Sequence, residues 1–306
     1  MIITLNALTP IFILIALGYG LQRWHFPGDA FWPAAEKITY YLFFPCLLIN
    51  KLATTDIRNS DALTVGLILL MAIIAAGLLC FLLKSLQNSN GMSFSSVFQG
   101  SIRLNTYIGF AISGSLYADA GIGLAAIYVL VMIPCVNVLS VLVLQHYAQD
   151  TANSLFKTLK TLASNPLILA CLLGLTLNLS DIALIQPVST VLAILGSIAL
   201  PLGLLTVGAA LVVSAVKSAW KPVFFSSVIK LVLLPLMTLS LCRLFEVSFI
   251  ATQIAIIFTA LPTATSSYIL SRQMGGDSQL MAIIISSQTL LAFISIPIIL
   301  KLSTGA

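Results

Sequence analysis

Charge is scarce in this chain: Asp, Glu, Lys and Arg together make up 8% of its 306 residues, against about a quarter in a soluble domain. An ordinary water-facing surface cannot be built from so little. Acids are missing where buried proton chemistry would need them, because no apolar segment carries Asp or Glu near its middle, and a buried-carboxylate relay has no obvious carrier. The two histidines, His25 and His146, fall near segment ends. Five cysteines, Cys46, Cys80, Cys135, Cys171 and Cys242, stand singly, without a CxxC pair or histidines at metal spacing, and read as small buried hydrophobes. No HExxH, no GxxxxGK[ST] loop and no Ser-His-Asp set at membrane depth is present, so neither an enzyme nor an ATP-driven machine is expected, and no cofactor. Basic residues are scattered without a cluster, which argues against a nucleic-acid partner. The first apolar run begins at Ile2 without a basic n-region or a cleavage site, so it is expected to stay as a span.

What the chain has in abundance is apolar length. Hydrophobic residues make up 59% and the mean hydropathy is +1.10, with runs near the ~20 residues that cross a ~30 Å hydrocarbon core. The runs are continuous rather than alternating, which excludes β-barrel strands. An all-α membrane protein follows, with ten transmembrane helices expected over 2–22, 35–54, 63–84, 96–117, 122–147, 161–180, 187–214, 222–244, 249–271 and 279–301. Connections are short, so residues 1–306 are expected to form a single transmembrane domain. One face collects Arg23, Lys37, Lys84, Lys157, Lys160, Lys217, Lys221 and Arg272, and the other Lys51, Arg58, Arg243 and Lys301. Positive loops stay cytoplasmic, which with ten spans puts both termini on the non-cytoplasmic side of the cytoplasmic (inner) membrane.

The two halves share a punctuation pattern. Pro10 and Gly18 in "PIFILIALGYGLQ" align with Pro166 and Gly174 in "PLILACLLGLTLN", 156 residues on, and Pro45 aligns with Pro201 at the same offset. "RLNTYIGF" and "ALPTATSS" align at an offset of 157, setting Asn105 against Pro262 and Thr106 against Thr263. Two five-span repeats, 1–150 and 155–306, must insert in opposite senses, the inverted 5+5 plan of many secondary transporters.

Such folds bind substrate near mid-membrane, where matching helices are broken. In span 9, Pro262 removes a backbone donor while Thr263, Ser266 and Ser267 offer hydroxyls to the freed carbonyls. In span 4, Asn105 and Gly109 weaken the helix beside Arg103 and Thr106. Broken helices 4 and 9, crossing, would aim half-helix N-termini at one spot suited to an anion. Arg103 either snorkels to the interface or faces a water-filled cavity, and Asn105 either binds substrate or only joins helices. Lys230 in span 8 is read as a snorkelling side chain. Asn137 and the "SSQT" stretch at 286–289 are polar stripes beside the crossing, read as lining, ion ligands or packing contacts.

The segments "RLNTYIGFAISGSLYADAGIG" (103–123), "NPLILACLLG" (165–174) and "ALPTATSSYILSRQMGGD" (260–277) resemble the auxin efflux carrier family of permeases, which holds plant auxin exporters and bacterial carriers of malate, malonate and similar acids. The resemblance runs over nearly the whole chain. It implies ten spans as an inverted repeat, a crossover of spans 4 and 9, alternating access, Asn105 as the substrate-contacting asparagine and Pro262 as the mark of the second crossover. Leu104 replaces the proline found before that asparagine in the plant proteins, and the long central loop is reduced to about a dozen residues, so a bacterial-type organic-acid carrier fits better than an auxin exporter. The sequence thus predicts a secondary transporter of a small organic anion, such as a mono- or dicarboxylate, within the lipid bilayer. The expected substrate-binding residues are Arg103, Asn105, Thr106, Asn137, Pro262, Thr263, Ser266 and Ser267. Na+ or H+ is the possible coupling ion and a homodimer is possible. The alternatives are a sodium-coupled symporter of a larger anion and a non-transporting sensor or assembly subunit.

Overall fold

The computed structural model describes residues 2–54, 61–87, 90–147, 163–212 and 219–304, and every regular element among them is helical. Helix α1 is Ile2–Arg23. Helices α2 (Phe31–Ile38) and α3 (Phe44–Thr54) run on through a wide turn at Thr39–Phe43. There follow α4 (Ala62–Leu82), the single turn α5 (Lys84–Gln87), α6 (Gly91–Ile102) and α7 (Thr106–Tyr147). The second half holds α8 (Pro166–Leu179), α9 (Gln186–Ala209), α10 (Trp220–Val228) and α11 (Leu234–Leu244). It closes with α12 (Phe249–Ala260), α13 (Ser266–Gln273) and α14 (Ser278–Thr304).

Among the described residues, six helical stretches are long and apolar enough to cross a membrane: Thr4–Arg23, Ala62–Leu82, Gly91–Tyr147, Gln186–Ala209, Trp220–Leu244 and Ser278–Thr304. Two shorter apolar helices, Pro166–Leu179 and Phe249–Ala260, lie beside them. Leu63, Leu78 and Ile194 are among many large apolar side chains left exposed on the outer faces, a surface suited to lipid rather than water. The protein is a multi-pass membrane protein.

Helix starts depart from the hydropathy breaks in two segments. The fourth segment begins at Gly91 rather than 96, because Asn90 Oδ1 accepts the Ser93 N–H at 2.8 Å and so serves one of the helix's unpaired first donors. The second begins at Phe31 rather than 35, with Pro33 in the first turn, where a missing N–H is harmless. Lys157, Lys160 and the loop at 149–158 lie outside the described residues, as do Arg58 and Lys217.

Two helices contain the same irregularity. Thr39–Phe43 and Ile229–Leu233 are π turns, and each ends two residues before a proline, Pro45 or Pro235. A proline inside a helix clashes with the carbonyl four residues earlier and cannot bond to it, and a widened turn relieves that clash. Tyr40 and Lys230 occupy the second place in these turns.

Helix α7 is interrupted at Ala118 (φ 48°, ψ −137°). A Cβ on Gly121 would sit 2.3 Å from the Ser113 carbonyl oxygen, so only glycine allows the second arm to close on the first. In the core, edge-on rings link Phe44 to Phe110 (5.1 Å) and Phe110 to Phe258 (5.7 Å), joining α3, α7 and α12. All three rings are fully buried.

Candidate functional site

Helix α6 stops at Ile102, and Arg103 to Asn105 run in a non-helical stretch before α7 begins at Thr106. Asn105 then starts the next helix, its carbonyl accepting from Gly109 N–H (3.1 Å) and its Oδ1 from Ile108 N–H (3.4 Å). Helix α12 stops at Ala260. Leu261 is extended (φ −64°, ψ 146°), the conformation that a following proline imposes. The two interruptions meet: Asn105 N–H donates to the Pro262 carbonyl at 2.8 Å.

A buried polar cluster holds the second break in place. Gln288 of α14 accepts the Thr263 N–H on Oε1 (3.0 Å) and donates through Nε2 to the Gly100 carbonyl (2.9 Å). The Thr263 hydroxyl lies 2.7 Å from Gln288 Oε1 and 3.0 Å from the Gly100 oxygen, and donates to one of them at a time. Further down α6, Gln99 Nε2 donates to Ser271 Oγ (2.9 Å), and Ser93 and Ser96 donate to Asp277 (2.8 Å each). Asp277 also accepts the Leu280 N–H at 2.9 Å, capping α14. The Asn105 and Thr263 N–H groups and the Gly100 and Pro262 carbonyls at the two breaks are thus met by protein partners.

Against this crossing lies a cavity of about 880 Å³. Its walls come from α2 and its π turn (Glu36, Lys37, Tyr40, Tyr41), the first break (Arg103, Thr106), the second arm of α7 (Asn137), Asn165, and the second break with α13 (Ser266, Gln273). Apolar surface from Leu104, Ile133, Val136, Leu167, Ile269, Leu270 and Met274 fills the gaps. Three helices present N-terminal ends to it: α7 through Thr106, α8 through Asn165 and α13 through Ser266. Each such end carries partial positive charge.

Arg103 is 7% exposed. Its Nη2 donates to Ser266 Oγ (3.1 Å), while Nε and Nη1 have no partner among the described residues. It therefore reaches from the first break to the second along the cavity wall instead of snorkelling. On the other flank, Thr265 donates to Glu36 Oε1 at 3.1 Å. Consecutive residues of the second break thus engage a base and an acid.

Of the residues expected at the site, Arg103, Thr106, Asn137 and Ser266 line the cavity. Asn105, Pro262, Thr263 and Ser267 are buried within the crossing behind it. Lys230 does not snorkel: it is fully buried, 0% exposed, and its Nζ lacks a hydrogen-bond partner among the described residues. Glu36, Lys37, Tyr40 and Tyr41 were not singled out by the sequence. The signal was there in the spacing of Glu36 in α2 and Tyr40 in the π turn that follows, about one helical turn apart. Among the described residues no group of His, Cys, Asp and Glu is arranged to hold a metal ion.

Comparison with known families assigns the class. A family model described as membrane transport protein matches residues 3–300, and the protein is a membrane transporter. The chain belongs to that family, the auxin efflux carrier-type membrane transporters. No curated protein matches it.

Proposed function

We propose that the protein is a secondary transporter of a small organic anion, a mono- or dicarboxylate, which it takes up in the Arg103 cavity and passes by alternating access. The observation that carries this is the Arg103 guanidinium: buried, lining a cavity, and with Nε and Nη1 unpartnered. A buried donor without a partner is costly, and a carboxylate would satisfy it with a charge-assisted hydrogen bond. Three helix N-termini add to the same positive field. Thr106, Asn137 and Ser266 would orient the anion through hydroxyl and amide groups. Asn105, Pro262, Thr263 and Ser267 act as positioning residues that hold the crossing behind it. In this reading ten helices cross the cytoplasmic membrane as two inverted repeats, 1–150 and 155–306, with both termini outside.

The test is a melting experiment on purified protein in detergent, with a panel of mono- and dicarboxylates. At least one acid should raise the melting temperature of the wild type and drive uptake of its labelled form into proteoliposomes. Truncating one member of a buried charge pair typically costs about 2–5 kcal/mol, so Arg103→Gln should bind that acid about 30-fold to several thousand-fold more weakly. A panel without any stabilising acid, or an Arg103→Gln protein that binds as the wild type does, would sink the proposal.

A further inference from the structure

The cavity wall carries one acid among its bases. Arg103, Lys37 and Glu36 are the charged residues that line it, and they come from different parts of the chain: Glu36 and Lys37 from α2, Arg103 from the first break. Neighbouring residues of the second break hold the acid and the guanidinium side by side. Thr265 donates to Glu36 Oε1 at 3.1 Å, and Ser266 Oγ accepts from Arg103 Nη2 at the same distance. Backbone neighbours lie about 3.8 Å apart, so the two opposite charges are kept within the span of one small solute.

They do not neutralise each other. Among the described residues Glu36 forms no ion pair, either with Arg103 or with Lys37, the next residue of its own helix. A carboxylate can accept about four hydrogen bonds, and Glu36 receives the one from Thr265. Arg103 has Nε and Nη1 to spare. The wall therefore offers unused donors at one point and unused acceptors beside it, with the exposed Lys37 as a second base.

A plain dicarboxylate uses only the donors. With one carboxylate on Arg103, its other carboxylate meets Glu36 as a like charge, and such a juxtaposition lowers affinity. An ammonium on the same molecule turns that contact from repulsion to attraction. Two bases and one acid are the complement of a solute with two carboxylates and one amino group. A fixed charge that penalises the wrong solute is also one of the two ways in which a site gains specificity.

We infer that the anion this protein carries is an amino dicarboxylate of the aspartate or glutamate kind, a reading that rests on the Arg103 cavity being the anion site. One carboxylate goes to Arg103, the ammonium goes to Glu36, and the second carboxylate has Lys37 as its counter-charge. Glu36 is the specificity-determining residue, and Thr265 positions it.

The experiment compares acids that differ only in the amino group: L-aspartate with succinate, and L-glutamate with glutarate. Each is titrated into purified protein in detergent and the binding is read by calorimetry. In the wild type, the amino acid of at least one pair should bind about ten- to a hundredfold more tightly than its partner without the amino group. In Glu36→Gln that advantage should vanish, while the plain dicarboxylate binds as well as before or better. Both members of a pair are measured on the same protein, so a general weakening of the site cancels in their ratio. Wild-type protein that binds succinate and glutarate as tightly as their amino counterparts would overturn the inference, and so would a Glu36→Gln protein that keeps the wild-type ratio. If Glu36→Gln does not fold, the wild-type ratio decides alone. Failure of both pairs beside a monocarboxylate that binds overturns the amino dicarboxylate and leaves the anion site standing, whereas a protein that binds no carboxylate at all overturns both.

Discussion

Gln288 Oε1 accepts the backbone N–H of Thr263 at 3.0 Å and lies within reach of its hydroxyl at 2.7 Å. The amide nitrogen of the same side chain reaches the Gly100 carbonyl at 2.9 Å, so one residue of α14 ties the two breaks together. Gln288→Leu would leave the buried Thr263 N–H without its acceptor, at about 1–3 kcal/mol, while the Thr263 hydroxyl can still donate to the Gly100 carbonyl. We expect a loss of roughly 1–3 kcal/mol in thermal or denaturant melts. Ser240→Ala, on an exposed stretch of α11, should change little in the same melts.

Gly100 packs closely against α14 and α10. A Cβ there would come within 2.7 Å of Ile284 Cγ2, so Gly100→Ala forces a shift that overpacked cores resist by about 1–3 kcal/mol. Removing the opposing side chain should relieve part of that strain. Gly100→Ala is expected to cost less in an Ile284→Ala background than in the wild type, and a double-mutant cycle of melting data gives the coupling directly.

Asp61 joins the start of α4 to the start of α12, accepting the Ser248 N–H on Oδ2 at 2.8 Å. Hydrogen bonds from Ser248 favour its charged form and hold its carboxyl below the usual carboxylate range. A group whose pKa is depressed on folding stabilises the fold above its unfolded pKa, about 3.9 for Asp, and that contribution fades as the pH falls through the folded value. Asp61→Asn should therefore melt below the wild type near neutral pH. The gap should narrow as the pH drops from about 4 downward; a gap independent of pH would contradict the assignment.

Glu36 places one negative charge on the wall of a cavity that also holds Arg103 and Lys37. At separations near 10 Å and an effective dielectric constant of about 20, one like charge is worth somewhat over 1 kcal/mol. Relative to wild type, Glu36→Gln should improve the binding of a dicarboxylate over a monocarboxylate of similar size by about tenfold. Thr265→Val, which removes only the hydroxyl bonded to Glu36, should leave that ratio close to wild type.

Local sequence was a good guide to the breaks and a poor one to the surroundings. Pro262 forces Leu261 into extended backbone by its own covalent geometry, and Asn105 is a residue that caps helices, so both interruptions could be placed from sequence. The depth of Lys230 could not, because helices that are apolar all round show no periodicity to tell a lipid-facing position from a core one. The same residue type in the same sort of segment either snorkels or is buried, and only packing decides. Glu36 was hidden for a related reason: it lies near the end of its segment in sequence, but the cavity extends to meet it. The paired π turns had a readable cause in Pro45 and Pro235, although prolines in apolar helices more often produce a simple kink.

The hydrogen bond from Asn105 to Pro262 has a consequence for how the molecule is made. Asn105 leaves the ribosome 157 residues before its partner, which at 5–20 residues per second is a delay of roughly 8–30 s. Until the second half arrives, the Asn105 N–H has to be served by another acceptor, such as water.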